Sequence, residues 1–210
     1  MTQLASYTEQ LTGKPQVSYE EFLALPSDVH AEWVDGEVVF MPSVSELHSR
    51  MGSFLLKLLG ILLDDHPVGR VFYEPFQIRM GGRPSGRAPD VIFLRTEHLD
   101  RLHRLYIEGP ADLVVEIVSR GNASNDYIEK FQEYEAAGVQ EYWIIDPEGP
   151  AADFFVLGSN GKYERVLADA EGVYRSTAIP GVWFRVTWLW ERPGVRTILA
   201  EIEAMASAPS

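Results

Sequence analysis

Apolar positions recur along this chain in two different periods, and the switches between them mark its elements. Val91-Ile92-Phe93-Leu94 and Leu113-Val114-Val115-Glu116-Ile117-Val118 are short, nearly continuous apolar runs, the pattern of strands buried on both faces. From Ser45 to Leu63 the period becomes three and four. Met51, Phe54, Leu55, Leu58, Leu59 and Leu62 then form one wide apolar helical stripe. Asn125 to Ala137 predicts a second long helix, with Phe131 and Tyr134 on one face and Gly138 as its C-cap.

The remaining elements follow from local punctuation. Ser18 and Glu21 form a capping-box pattern at the start of a short helix that Pro26 ends. Asp35-Gly36 between two apolar runs predicts a hairpin. Gly69 to Met80 reads as one strand, with Pro75 marking a bulge or an edge. Gly81 to Arg87 reads as a flexible basic loop, and Glu141 to Asp146 as a strand closed by Pro147. Phe154–Leu157, Gly161–Val166 and Val173–Ser176 suggest a β-meander, and Leu199–Ala206 a weak terminal helix. The fold class expected is mixed α and β (α/β, mixed α+β), with buried central strands and helices around them. Residues 1–15 read as a flexible arm, 16–198 as one domain and 199–210 as a tail.

Composition changes this picture little. The 210 residues are 46% hydrophobic and 23% charged, ordinary for a folded domain. Cys is absent, which removes disulfides, thiolate metal sites and cysteine nucleophiles. No charged-then-apolar leader and no membrane-spanning run is visible, so a cytoplasmic protein with no membrane partner is expected. The net charge of -13 matters more. It weighs against broad binding of nucleic acid, which relies on Lys and Arg at phosphates, but leaves room for a local basic groove.

The informative conflict is Glu116, a charged residue inside an apolar strand. Burying it costs several kcal/mol, roughly, unless it is paired or bound to metal. Asp90 heads the other apolar run, so pairing of the two strands would bring two carboxylates to one sheet edge. Such a pair suits a hard cation that keeps several waters, with the Ile117 carbonyl as a further oxygen. Other readings stay open at this level. Glu116 can pair with an arginine such as Arg120, and Asp90 can be a turn former. Lys130 lies one turn beyond Asp126, the spacing of a surface ion pair, or can stand beside the carboxylates. His48 reads as a capping or surface histidine, and Tyr134 as core. Glu32, in the first hairpin, is a third carboxylate within conceivable reach. Arg83, Arg87, Arg120 and Asn122 fall in loops that could touch phosphates.

Taken together and in order, these segments carry a resemblance. Glu32-Trp33-Val34-Asp35-Gly36-Glu37, His48, Arg87-Ala88-Pro89-Asp90-Val91-Ile92-Phe93, Gly109 to Ser119, Asp126, Lys130, Tyr134 and Gly138 to Pro147 resemble the Uma-two family. That family belongs to the PD-(D/E)XK nuclease superfamily, named as restriction endonucleases. The resemblance implies a restriction-endonuclease-like core, a central mixed sheet flanked by helices. It further implies a DNA endonuclease using Mg²⁺, or Mn²⁺ in its place, on Asp90 and Glu116, with Glu32 as an additional acid. The superfamily's lysine, two residues after the acid, is here Val118, and the resemblance hands its role to Lys130. Cutting both strands implies a homodimer. The competing class is a catalytically silent module that keeps the fold and binds nucleic acid or protein.

Overall fold

The computed structural model describes residues 16–26, 29–64, 67–81, 85–118 and 125–206. Its larger sheet follows from the two apolar runs. β6 (Val91–Arg95) and β8 (Leu113–Ile117) pair antiparallel, Val91 opposite Val115. β3 (Gly69–Tyr73) lines the outer side of β6, Tyr73 opposite Val91. β9 (Glu141–Asp146) runs parallel to β8, and β10 (Ala151–Leu157) and β11 (Tyr163–Val166) continue antiparallel. The order is therefore β11-β10-β9-β8-β6-β3, a mixed sheet. A parallel pair needs a crossover, here supplied by helix α3 (Asn125–Ala137).

Side chains alternate across a strand, and the two faces of this sheet collect different cores. Val91, Phe93, Leu113, Val115, Trp143 and Ile145 meet the stripe Met51, Phe54, Leu55, Leu58 and Leu59 of α2 (Glu46–Asp64). Ile92, Leu94, Val114, Tyr142 and Ile144 face the other way and pack with Tyr134 of α3. This parity puts Glu116, two residues beyond Val114, on the α3 side.

A second, five-stranded sheet stands beside the first. It contains β1 (Ala31–Val34), β2 (Glu37–Phe40), β4 (Gln77–Met80), β5 (Ser85–Arg87) and β7 (Tyr106–Glu108) in the order β2-β1-β5-β4-β7. Short helix α1 (Tyr19–Leu23), with its capping box between Ser18 and Glu21, packs Tyr19 and Phe22 against Trp33. The β1–β2 hairpin turns at Asp35 and Gly36, both at positive φ (51° and 84°), as a two-residue turn requires.

Several expectations are corrected. Gly69–Met80 is two strands in two different sheets, separated by a turn at Glu74–Phe76. Arg87 does not sit in a loop; it belongs to β5, which is buried. The expected third meander strand, β12 (Val173–Arg175), pairs with β13 (Trp183–Arg185) instead of β11. After β13 and the short α4 (Trp188–Glu191), the terminal helix α5 starts at Val195 and ends at Ala206. It docks Ile198 and Ile202 on the core. No helix among the described residues is long and apolar enough to cross a membrane.

Candidate active site

The turn from β3 to β4 and the passage from β5 to β6 both lie where the two sheets meet. Paired positions Tyr73 with Val91 and Val91 with Val115 extend by one residue to align Glu74, Asp90 and Glu116 across three neighbouring strands. Asp90 is fixed by two donors. The Ile117 N–H donates to its Oδ2 at 2.6 Å, and His48 Nε2 lies 3.0 Å from its Oδ1. His48 comes from the first turn of α2. Burial would lower its pKa, but the bonded carboxylate of Asp90 outweighs that and raises it.

Glu116 receives its partners from α3. The Tyr134 hydroxyl donates to Oε1 at 2.8 Å, and Lys130 Nζ donates to Oε2 at 3.1 Å. Burial nevertheless dominates and pushes the Glu116 carboxyl up to about 7. Lys130 offsets only part of that, while Asp90 and Glu32 add to it. Tyr134 is fully buried, and burial beside Glu116 raises its hydroxyl well above the ordinary range.

Lys130 is shared. Its Nζ also lies 3.4 Å from Glu32 Oε1, and Glu32 is held from the other side. Arg87 Nη1 donates to Glu32 Oε2 at 2.9 Å, and the Ala88 N–H donates to Oε1 at 3.2 Å. Arg87 in turn reaches Glu133 of α3 through Nε and Nη2, both at 2.8 Å. Burial alone would raise the Glu32 carboxyl, but Lys130 and Arg87 hold it below the usual carboxylate range. The result is a buried chain of alternating charge, Glu133, Arg87, Glu32, Lys130 and Glu116, tying both sheets to α3.

Glu32, His48, Asp90, Glu116, Ile117, Lys130 and Tyr134 therefore converge. Lys130 is no surface ion-pair partner: it is 4% exposed and bridges two acids. Among the described residues, Glu116 pairs with that lysine. Arg87 is corrected as a phosphate contact, because it is 4% exposed and engaged by two carboxylates. Arg83, Arg120 and Asn122 lie outside the described residues, as does the side chain of Asp126. Sequence reasoning missed Glu133 and Glu74. Glu74 is bonded to His30 Nε2 at 2.8 Å, and its carboxyl is raised by burial, with His30 opposing and Asp90 adding to the rise. Its signal existed only in the register of β3 on β6. Among the described residues, no group of three or more His, Asp or Glu is arranged to hold a metal ion.

The family model described as "Putative restriction endonuclease", Uma2, matches residues 19–187. The chain belongs to the Uma2 family. The span runs from α1 to the start of α4, so it contains both sheets and every residue of the buried charge chain. Among solved structures, one described as a putative nuclease belonging to DUF820 from Anabaena variabilis ATCC 29413 is similar. It has a TM-score of 0.67 at 17% identity, covering 83% of this chain and 98% of that one. At that identity the likeness speaks for the fold. No curated protein matches the chain.

Proposed function

We propose that this Uma2 protein is a metal-dependent endonuclease that hydrolyses DNA phosphodiester bonds at the site of Asp90, Glu116 and Lys130. The observation that carries the reading is the ammonium of Lys130, 3.1 Å from Glu116. Strand position 118 is a valine, and α3 delivers the cation from another part of the backbone.

The donor chemistry suits Mg²⁺ or Mn²⁺: Asp90 and Glu116, with the Ile117 carbonyl as a further ligand, would offer oxygen donors only, and water would fill the rest. Burial, with Asp90 and Glu32 adding to it, raises the Glu116 carboxyl, and a divalent cation would offset that cost of ionisation. Bound there, the ion would supply Lewis-acid polarisation of the phosphate and a water of lowered pKa. The chain's own residues do the positioning. His48 and the Ile117 N–H fix the rotamer of Asp90. Tyr134 fixes Glu116. Glu32, braced by Arg87, holds Lys130 beside the carboxylates, where its ammonium stabilises charge developing on the phosphate. Duplex cleavage by one such site per chain further implies a dimer.

One observation favours the silent alternative. All four carboxylate oxygens of Asp90 and Glu116 already have an internal partner, so Glu116 does not need a metal to be tolerated. Supercoiled and linear DNA incubated with Mg²⁺ or Mn²⁺ decides between them. Cleavage by wild type that Glu116→Ala and Lys130→Ala abolish is expected. No cleavage, or cleavage equal in all three proteins, refutes the nuclease reading.

A further inference from the structure

The two strands that carry Asp90 and Glu116 have a second end. Arg95 closes β6 and Asp112 immediately precedes β8, roughly 16 Å of strand away from the carboxylate row. The 3₁₀ turn Thr96–Arg101 brings His98 and Arg101 to the same place. Together with Gln140 and Thr177 these residues line a cavity of about 430 Å³, within the size range of small-molecule sites. No residue of the carboxylate row lines it.

Three observations give this cavity an anionic occupant. First, its charge runs against that of the chain. Asp and Glu outnumber Lys and Arg by 31 to 18 overall, yet the lining holds Arg95, Arg101 and His98 against the single carboxylate of Asp112. Second, that carboxylate is engaged. Asp112 is 1% exposed, accepts the Arg95 N–H at 2.7 Å and has His98 Nδ1 2.9 Å from its Oδ1. An ionised carboxylate takes the protonated ring nitrogen, so the other nitrogen is set by this bond; His98 Nε2 has no partner among the described residues. Third, Arg101 meets no carboxylate among the described residues. Its Nη1 donates to the Pro110 carbonyl at 2.7 Å, which orients the guanidinium and leaves Nε and Nη2 as donors. Arg95, by contrast, is tied to the Thr177 and Ala178 carbonyls and contributes chiefly its field.

We propose that this cavity binds a phosphate monoester through Arg101 and His98. A monoester carries close to two negative charges near neutrality and accepts at three terminal oxygens. The guanidinium offers it paired donors, and Asp112 favours the imidazolium form of His98, whose Nε2 then donates as well. A carboxylate brings one charge and two coplanar oxygens, a poorer match to donors on two separate side chains in the field of a third. The cavity exceeds a bare phosphate group, and Pro110, Val156 and Gln140 line space for an organic part. A free phosphorylated small molecule and the terminal phosphate of a nucleic-acid strand share this chemistry. The proposal does not depend on the nuclease reading, because the two sites have no residue in common.

Thermal unfolding in EDTA tests this, with affinity read from the dependence of the melting temperature on ligand concentration. The probes are inorganic phosphate, a nucleoside 5′-monophosphate, and sodium chloride at matched ionic strength. Both phosphates should raise the melting temperature beyond the chloride control. Arg101→Gln removes the guanidinium, and Gln140→Glu sets a negative charge in the lining with little change of shape. Each should weaken phosphate binding about 10-fold, measured from that variant's own phosphate-free melting temperature. No rise beyond chloride overturns the proposal, and so does a rise that Gln140→Glu retains in full, whether or not Arg101→Gln folds. A 5′-phosphorylated oligonucleotide and its 5′-hydroxyl counterpart then separate the sources. Tighter binding of the phosphorylated strand than of the monophosphate, lost in Gln140→Glu, makes the ligand a strand end. The monophosphate binding alone makes it a free small molecule.

Discussion

Replacing Glu116 with Gln keeps the shape of the side chain and removes its proton chemistry, which isolates the cost of burying that charge. In the folded protein the carboxyl titrates at about 7 against an ordinary value of 4.5. Below the lower value both the folded and unfolded chains hold the proton, and Glu116 costs nothing. Between the two, the unfolded chain releases the proton while the folded one keeps it, so stability falls as pH rises. Above 7 the whole effect is present, about 3 kcal/mol. The amide of the Glu116→Gln variant has no such dependence. The stability of Glu116→Gln minus that of wild type should therefore climb by about 3 kcal/mol from about pH 4 to about pH 8. Urea unfolding in EDTA, followed by the fluorescence of the five tryptophans, measures it at each pH. Mn²⁺ should then erase part of the difference above neutrality, because metal that binds only the ionised wild type stabilises it by mass action. A difference that is flat or falls with pH would refute the reasoning. It would mean that Lys130, and not burial, sets the charge state of Glu116.

The other substitutions test the remaining members of the charge chain and a carboxylate outside it. Lys130→Met leaves Glu116 and Glu32 buried without their shared cation; a loss of about 3–5 kcal/mol at pH 8, shrinking toward acid pH as Glu116 takes up a proton, is expected from the same unfolding series. Arg87→Met strands Glu32 and Glu133 and should cost a similar amount, roughly 3–5 kcal/mol, while leaving the salt slope of oligonucleotide binding unchanged. A shallower slope would return Arg87 to the phosphates. Glu141→Gln disturbs an acceptor that serves Trp143, Tyr174, Ser176, Thr177 and Ala178, and should destabilise by about 2 kcal/mol or more, read as a lower melting temperature and a shifted Trp emission.

What the sequence displayed was local pattern, and what it hid was register and long-range pairing. Runs such as Val91–Leu94 announce buried strands, and the alternation within Leu113–Val118 already says which neighbours share a face with Glu116. The partner of Arg87 could not be read that way. Glu32 lies 55 residues earlier and Glu133 lies 46 later, and only the packing of both sheets against α3 joins them. Lys130, Glu133 and Tyr134 occupy one helical face by spacing, but a charged stripe on a helix ordinarily marks solvent. Here it marks the side that covers the carboxylates. Glu74 was concealed by the apparent continuity of Gly69–Met80. A polar residue before Pro75 reads as an edge irregularity until β3 is known to pair with β6.

Two buried glutamates on neighbouring parallel strands show why burial alone does not announce a reactive site. Glu141, fully buried, accepts six hydrogen bonds: Trp143 Nε1 and the Tyr174 hydroxyl on one oxygen, and the Ser176 hydroxyl, Thr177 N–H and hydroxyl, and Ala178 N–H on the other. Its lone pairs are filled by fixed donors, and its effect is to pin the segment after β12 to the sheet. Glu116 accepts one hydroxyl and one ammonium, faces two more carboxylates, and has its pKa raised. A carboxylate with lone pairs to spare, in a field that disfavours its own charge, gains most from a cation and can give or take a proton near neutrality. Incomplete satisfaction, not depth, separates the residue that can do chemistry from the one that holds the fold.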